Sequence, residues 1–129
     1  METLTKTEEK VMQIIWDLKR GFVKDVIERI GVPAPPYNTI SSLIRILEKK
    51  GFVSHKAYGK THEYFPAISK LAYRSFTFKN FVADYFEGAP ENVISYMVEE
   101  EKLEPEDIQK MFDMLANQEN DKNKPQNEK

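Results

Sequence analysis

Apolar residues recur along this chain with two different periods, and the change of period marks out its elements. Val11, Ile14, Ile15 and Leu18 fall at i, i+3, i+4 and i+7, which predicts a helix with one buried face. Thr5, with Glu8 three residues on, predicts a capping box that satisfies two otherwise unpaired backbone N–H groups. The same spacing returns at Val23, Val26, Ile27 and Ile30, stopped by Gly31, and at Ile40, Leu43, Ile44 and Leu47, stopped by Gly51. Between these two lies VPAPPY, whose prolines forbid helix and hold the connection extended. After Gly51 the pattern becomes that of strands. Phe52-Val53-Ser54-His55-Lys56 and Thr61-His62-Glu63-Tyr64-Phe65 are rich in β-branched and aromatic residues and flank the turn Ala57-Tyr58-Gly59-Lys60. Pro66 ends the hairpin. Three helices followed by a hairpin is the order of a winged helix-turn-helix.

From Ser69 the helical period resumes, with Phe78, Phe81, Val82 and Tyr85 on one face before the break at Gly88-Ala89-Pro90. Val93, Ile94, Met97 and Val98 form a second helical set, and Ile108, Met111, Phe112 and Leu115 a third that opens at Pro105. So short a stretch cannot hide this much apolar surface by itself, and a partner subunit is the natural cover. From Asn117 on, NQENDKNKPQNEK has no apolar residue and is expected to be a disordered tail. The fold class read from these patterns is mainly α with a small β-hairpin. It comprises a winged-helix domain over residues 1–70, a helical dimerisation region over 71–116 and the tail over 117–129.

Charge sharpens this division. The net charge of −2 hides an asymmetry: residues 1–75 carry 13 Lys and Arg against 8 Asp and Glu, whereas residues 76–129 carry 6 against 13. A half at +5 joined to a half at −7 suggests a part that binds a polyanion and a part that does something else. With 40% apolar and 31% charged residues, the composition is that of an ordinary globular protein. METLTKTEEK lacks the apolar core of a signal peptide, and a cytoplasmic location is expected. The absence of cysteine excludes disulfides, thiolate metal sites and a cysteine nucleophile.

The candidate chemistry lies on the third helix. With 40, 43, 44 and 47 facing the core, Asn38, Ser41, Ser42, Arg45, Glu48 and Lys49 fall on the opposite face. Asn and Arg can make paired hydrogen bonds to base edges, while hydroxyls and the helix start around Thr39 suit phosphates and edges. The hairpin tip adds Lys56, Tyr58, Gly59, Lys60 and Thr61, where a wing meets the phosphate backbone. Lys6, Lys49 and Lys50 are further candidates for phosphate contacts. Trp16 is expected in the three-helix core, and Tyr37 over the start of the third helix. The second helix lacks a hydroxyl cap, Gly21-Phe22 standing in that place, so its start is either weak or anchored by packing of Phe22.

An enzyme is the weaker alternative. His55 and His62 are the only histidines and read as a strand-face pair rather than a catalytic or metal site, and Glu99-Glu100-Glu101 reads as a solvated acidic run. No phosphate loop, nucleophile elbow or zinc spacing is present. No cofactor, metal site or catalytic residue is expected. The stronger alternative is a winged-helix module that binds protein instead of DNA, but such a module more often exposes aromatics or acids on its third helix.

LTKTEEKVMQIIWDL, KDVIERI and YNTISSLIRILEKKGFVSHKAYGKTHEYFPAI together resemble the penicillinase-repressor family of bacterial winged-helix regulators, the BlaI/MecI type, and VISYMVEEEKLEPEDIQKM is similar to its last two helices. The resemblance covers roughly residues 3–116. It implies a homodimer that represses transcription by binding an inverted-repeat double-stranded DNA operator, with Thr39, Ser41 and Ser42 in the major groove and Lys60 at the wing position. The homodimer it implies fits the apolar sets of the second half, whose Phe78, Phe81, Val82, Tyr85, Ile94, Met97, Ile108, Met111, Phe112 and Leu115 are the expected dimer contacts. Arg45 stands one position before the arginine common in the family, with Ile46 in its place, so operator preference is expected to differ. Antibiotic-sensing members are cleaved by a sensor-linked protease at an Asn-Phe bond. The matching pair here, Tyr96-Met97, departs from it and argues against cleavage there.

Overall fold

The computed structural model describes residues 1–123, with side chains described through Asn117. The elements are α1 (Lys6–Leu18), α2 (Val23–Ile30), α3 (Tyr37–Lys49), β1 (Val53–Tyr58), β2 (Thr61–Pro66), α4 (Lys70–Tyr85), α5 (Pro90–Glu99) and α6 (Pro105–Asn123). This is the mainly helical winged helix-turn-helix that the apolar pattern predicts. Two compact units divide the chain, residues 1–79 and the residues from 80 on. No helix among the described residues is long and apolar enough to cross a membrane.

In the first unit α1 starts on the expected capping box. The Thr5 hydroxyl accepts from the Glu8 N–H at 3.1 Å, and Glu8 Oε1 accepts from the Thr5 N–H at 2.9 Å. Glu8 has a second task that local sequence does not announce. Lys50, just past α3, donates to both of its oxygens at 3.0 and 2.9 Å, pinning the start of α1 to the end of α3. The Lys50 hydrogen bond, followed by the Thr5 backbone N–H, holds the buried Glu8 carboxyl below its ordinary value.

The start of α2 is anchored by Phe22 packing, the second of the two alternatives, and also by a side-chain cap that neither alternative included. Asp25 Oδ2 accepts from the Phe22 N–H at 2.8 Å, supplying half a capping box, and the Phe22 ring packs edge-on against Tyr58 at 6.0 Å. β1 and β2 pair antiparallel from Val53↔Pro66 to Tyr58↔Thr61, leaving only Gly59 and Lys60 in the loop. The turn is tighter than the four residues Ala57–Lys60 expected, because Gly59 takes φ 64°, which a two-residue turn requires. Gly21 exchanges both backbone hydrogen bonds with Tyr64, at 2.9 and 2.8 Å, and so adds a one-residue third strand beside β2.

The core of this unit is filled by Met12, Ile15, Val26, Ile44, Leu47 and Phe52, all essentially without solvent contact. Tyr73 of α4 closes it. Its ring meets Phe52 edge-on at 5.4 Å, while its hydroxyl accepts from the Leu4 N–H at 2.8 Å and donates to Glu9 Oε2 at 3.2 Å. Trp16 lies half-buried at the margin and not in the centre. It packs 5.9 Å from Tyr73 and donates Nε1–H to the Ile68 carbonyl at 2.9 Å, since an indole N–H needs a partner when covered. Tyr37 is exposed.

The second unit is held by aromatic packing around Phe86. Phe86 packs at 5.6 Å on Phe81 and at 5.7 Å on Tyr96, and Asn92 donates to the Phe86 carbonyl at 3.1 Å. α6 continues to Asn123, into the segment from 117 that composition assigns to a disordered tail. Once a helix is nucleated, each further residue adds a backbone hydrogen bond without needing burial, so a polar segment can extend it. The rest of that segment, 124–129, lies outside the described residues.

Candidate nucleic-acid interface

A helix turns about 100° per residue, so positions i, i+4, i+7 and i+11 form one stripe. Asn38, Ser42, Arg45 and Lys49 occupy those positions of α3 and are all exposed. Thr39 is exposed beside them. Two polar side chains assigned to this face do not belong to it. Ser41 is buried, because it lies only about 100° from Ile40 and in line with the Ile44 side of the helix, at the edge of the core stripe. Glu48 turns toward the hairpin and engages His55. Lys50 is likewise spoken for, by Glu8, and is not a free phosphate contact.

The beginning of α3 is open. Pro36 stands at the N-cap and offers no side-chain hydrogen bond, its carbonyl being taken by the N–H groups of Thr39 and Ile40. The N–H groups of Tyr37 and Asn38 have no partner among the described residues. Uncapped N–H groups and the positive end of the helix dipole together favour an anion such as a phosphate.

In the wing, Lys56, Tyr58, Lys60 and Thr61 are all exposed. Lys60 sits in the loop itself, facing solvent. Lys56 is less free, with its ammonium 5.4 Å from the Tyr58 ring centroid and Glu63 directly opposite across the ladder. Ile46, exposed next to Arg45, is the outward residue that apolar periodicity assigns no role. A single isoleucine one position off the core stripe is the signal for it.

The side chains expected to meet a second subunit are mostly uncovered. Phe78, Phe81, Tyr85, Ile94, Met111, Phe112 and Leu115 are exposed, and Met97 and Ile108 are half-buried. Val82 differs: at 6% exposure it is already covered by its own chain. In the second unit Ile94, Met97, Leu103, Ile108, Met111, Phe112 and Leu115 line a groove with no polar group. Tyr96 and Met97 lie inside the helix α5, not in a loop.

The family model described as penicillinase repressor matches residues 4–117. The chain is similar to the methicillin resistance regulatory protein MecI of Mammaliicoccus sciuri, 29% identical over 113 residues, which cover 87% of this chain and 92% of the relative. The MecI protein of Staphylococcus aureus strain N315 matches with the same figures. It is also similar to the penicillinase repressor of Bacillus licheniformis, 23% identical over 120 residues, covering 92% and 94% of the two chains.

Proposed function

Because this chain belongs to the penicillinase repressor family, a family of transcriptional repressors, we propose that it represses transcription as a homodimer bound to an inverted-repeat operator. Each protomer seats α3 in a major groove and lays the hairpin along the adjacent backbone. The observation that carries this reading is the exposed stripe Asn38, Ser42, Arg45 and Lys49, which contains hydrogen-bonding and basic groups and no acid. Asn38 and Arg45 are the base-reading residues, with Ser42 short enough to let the helix approach closely. Thr39, Lys49 and the open first turn of α3 hold phosphates, as do Lys60 and Thr61 in the wing, with Tyr58 and Lys56 beside them. Ser41 is outside this set.

The apolar groove and exposed aromatics of the second unit are the surface by which two protomers pair. Pairing fixes the separation of the two α3 helices and hence the half-site spacing of the operator. The same reading puts the protein in the cytoplasm, and leaves proteolysis at Tyr96-Met97 out of the mechanism. One observation favours a protein-binding module instead, namely the exposure of Tyr37 and Ile46 on α3. Both also suit contact with a thymine methyl or the sugar edge, and the basic stripe between them suits no acid-free protein surface better than it suits DNA.

The test is fluorescence anisotropy of a labelled duplex from the region upstream of the protein's own gene, against a scrambled duplex, at about 50 and about 200 mM salt. Tight, salt-sensitive binding of the first duplex alone, saturating at two chains per site, is the expected outcome. Equal and weak binding of both overturns specific readout at that site.

A further inference from the structure

Behind the exposed stripe, α3 meets the hairpin at His55, which stacks on a second imidazole. His55 of β1 and His62 of β2 stack face to face, with ring centroids 4.0 Å apart and planes within 5°. The register explains the contact: His55 faces Tyr64 and Ala57 faces His62, so the two histidines are diagonal neighbours on one face of the hairpin. His55 Nδ1 donates to Glu48 Oε2 at 2.6 Å. It ties α3 to the hairpin beside a second side-chain hydrogen bond, from Arg45 to the Tyr64 hydroxyl. The Tyr64 ring packs against both imidazoles, at 5.8 and 6.1 Å.

Imidazole is the side chain whose charge changes between about pH 5 and about pH 8. A proton on each of two stacked rings sets two positive charges face to face, and like charges at that distance repel. Glu48 supplies one negative charge, which matches one imidazolium on His55. It cannot match two. The other groups around the pair do not supply a second carboxylate: α3 contributes Arg45, which hydrogen-bonds the Tyr64 hydroxyl, and Tyr37, and β2 contributes the buried Tyr64 phenol itself. Glu63 and Lys56 oppose each other on the other face of the hairpin.

We propose that Glu48, His55 and His62 form a proton-sensitive joint that positions the wing against α3, so that uptake of the second proton separates the stacked rings and loosens the grip on DNA. The proposal rests on the DNA-binding reading above, since the placement of the wing matters to affinity only where helix and wing hold one duplex. Its direction is diagnostic. Proton uptake near DNA by itself adds positive charge and tightens binding through the phosphates, whereas opening of the joint weakens it.

The experiment follows the full-length protein from about pH 7.5 to about pH 5.5 with two readouts. One is anisotropy of the upstream duplex. The other is the nuclear Overhauser contact between the two imidazole rings in the free protein. Wild type is expected to bind about tenfold more weakly at the acid end, the change that one pKa unit of differential protonation produces, and to lose the ring contact. His62→Phe keeps a stacked ring that cannot be protonated, and is expected to abolish the acid weakening. His62→Gln, which also carries no charge, serves the same purpose if the phenylalanine variant misfolds. Glu48→Gln removes the carboxylate that favours imidazolium, so the second proton is harder to add and the weakening is expected to move to lower pH.

Binding that tightens or stays constant on acidification overturns the joint, as does a ring contact that persists at the acid end while the duplex still binds. Loss of the ring contact on acidification with no duplex binding at any pH retains the joint and overturns the DNA-binding reading.

Discussion

The two units of this chain treat apolar side chains in opposite ways. In residues 1–79, Met12, Ile15, Ile44, Leu47 and Phe52 vanish from solvent, and an ion pair, two capping arrangements and a tyrosine hydroxyl close the margins. From residue 80 on, only Val82 among the described residues is buried, while Phe81, Tyr85, Phe112, Met114 and Leu115 face outward. A unit that completes its own core can be exact about where it puts a reading helix. A unit that leaves its apolar face open has its stability tied to whatever covers that face, and on the reading above the cover is a second copy.

The sharpest way to test this contrast is to cut into each apolar set. Phe52→Ala empties a fully buried site and should cost about 4 kcal/mol of stability, the same at every protein concentration, in thermal or denaturant unfolding. Phe112→Asp should leave the first unit folded, convert the dimer to monomer in sedimentation, and weaken operator binding about 100-fold through loss of the second contact. If this variant still sediments as a dimer, the open face has another use.

Smaller effects separate readers from holders within the first unit. Arg45→Ala should reduce the preference for the operator over scrambled DNA by about tenfold, whereas Lys60→Ala should weaken both alike and lower the salt slope by about 1. An unchanged preference in Arg45→Ala would remove that residue from the reading face.

The smallest effect is the loss of the link between α1 and α3. Glu8→Gln should cost about 1 kcal/mol near neutral pH, in line with a weakened cap. The sign of its pH dependence follows from the direction of the shifts. Glu8 lies below its ordinary value of 4.5, so its contribution is complete above that value and disappears as pH falls through the lowered one. Lys50 is raised above 10.5 by the Glu8 hydrogen bond, so its contribution is complete below that value and is lost as pH rises through the raised one. Wild type and Glu8→Gln should therefore converge in melting temperature at strongly acid pH.

What could be read in advance was whatever a local period or a short motif carries. The helical faces of α1, α2 and α3, the Thr5–Glu8 box and the strand character around Gly59 all show within a few residues. Ser41 was misplaced because a polar residue at the edge of an apolar stripe has the same composition whether it faces in or out. Tyr73 gave no sign of its role, since its hydrogen bond to Leu4 joins residues 69 apart. Glu48, His55 and His62 come together only when helix packing and strand register are both known. The stripe Asn38, Ser42, Arg45 and Lys49 was legible because it follows directly from helical pitch.

The bridge between Gly21 and Tyr64 has a consequence for solubility. It shields β2 at its middle, so β1 is the flank of the sheet with no strand beside it among the described residues. Unpaired strand flanks are templates for association, and a lysine placed on one is a common protection against it. Lys56 occupies the centre of β1. It thereby acts as a gatekeeper: exchanging it for valine would give the wing a run of apolar and aromatic residues along its free flank, favouring strand-to-strand aggregation even with the fold intact.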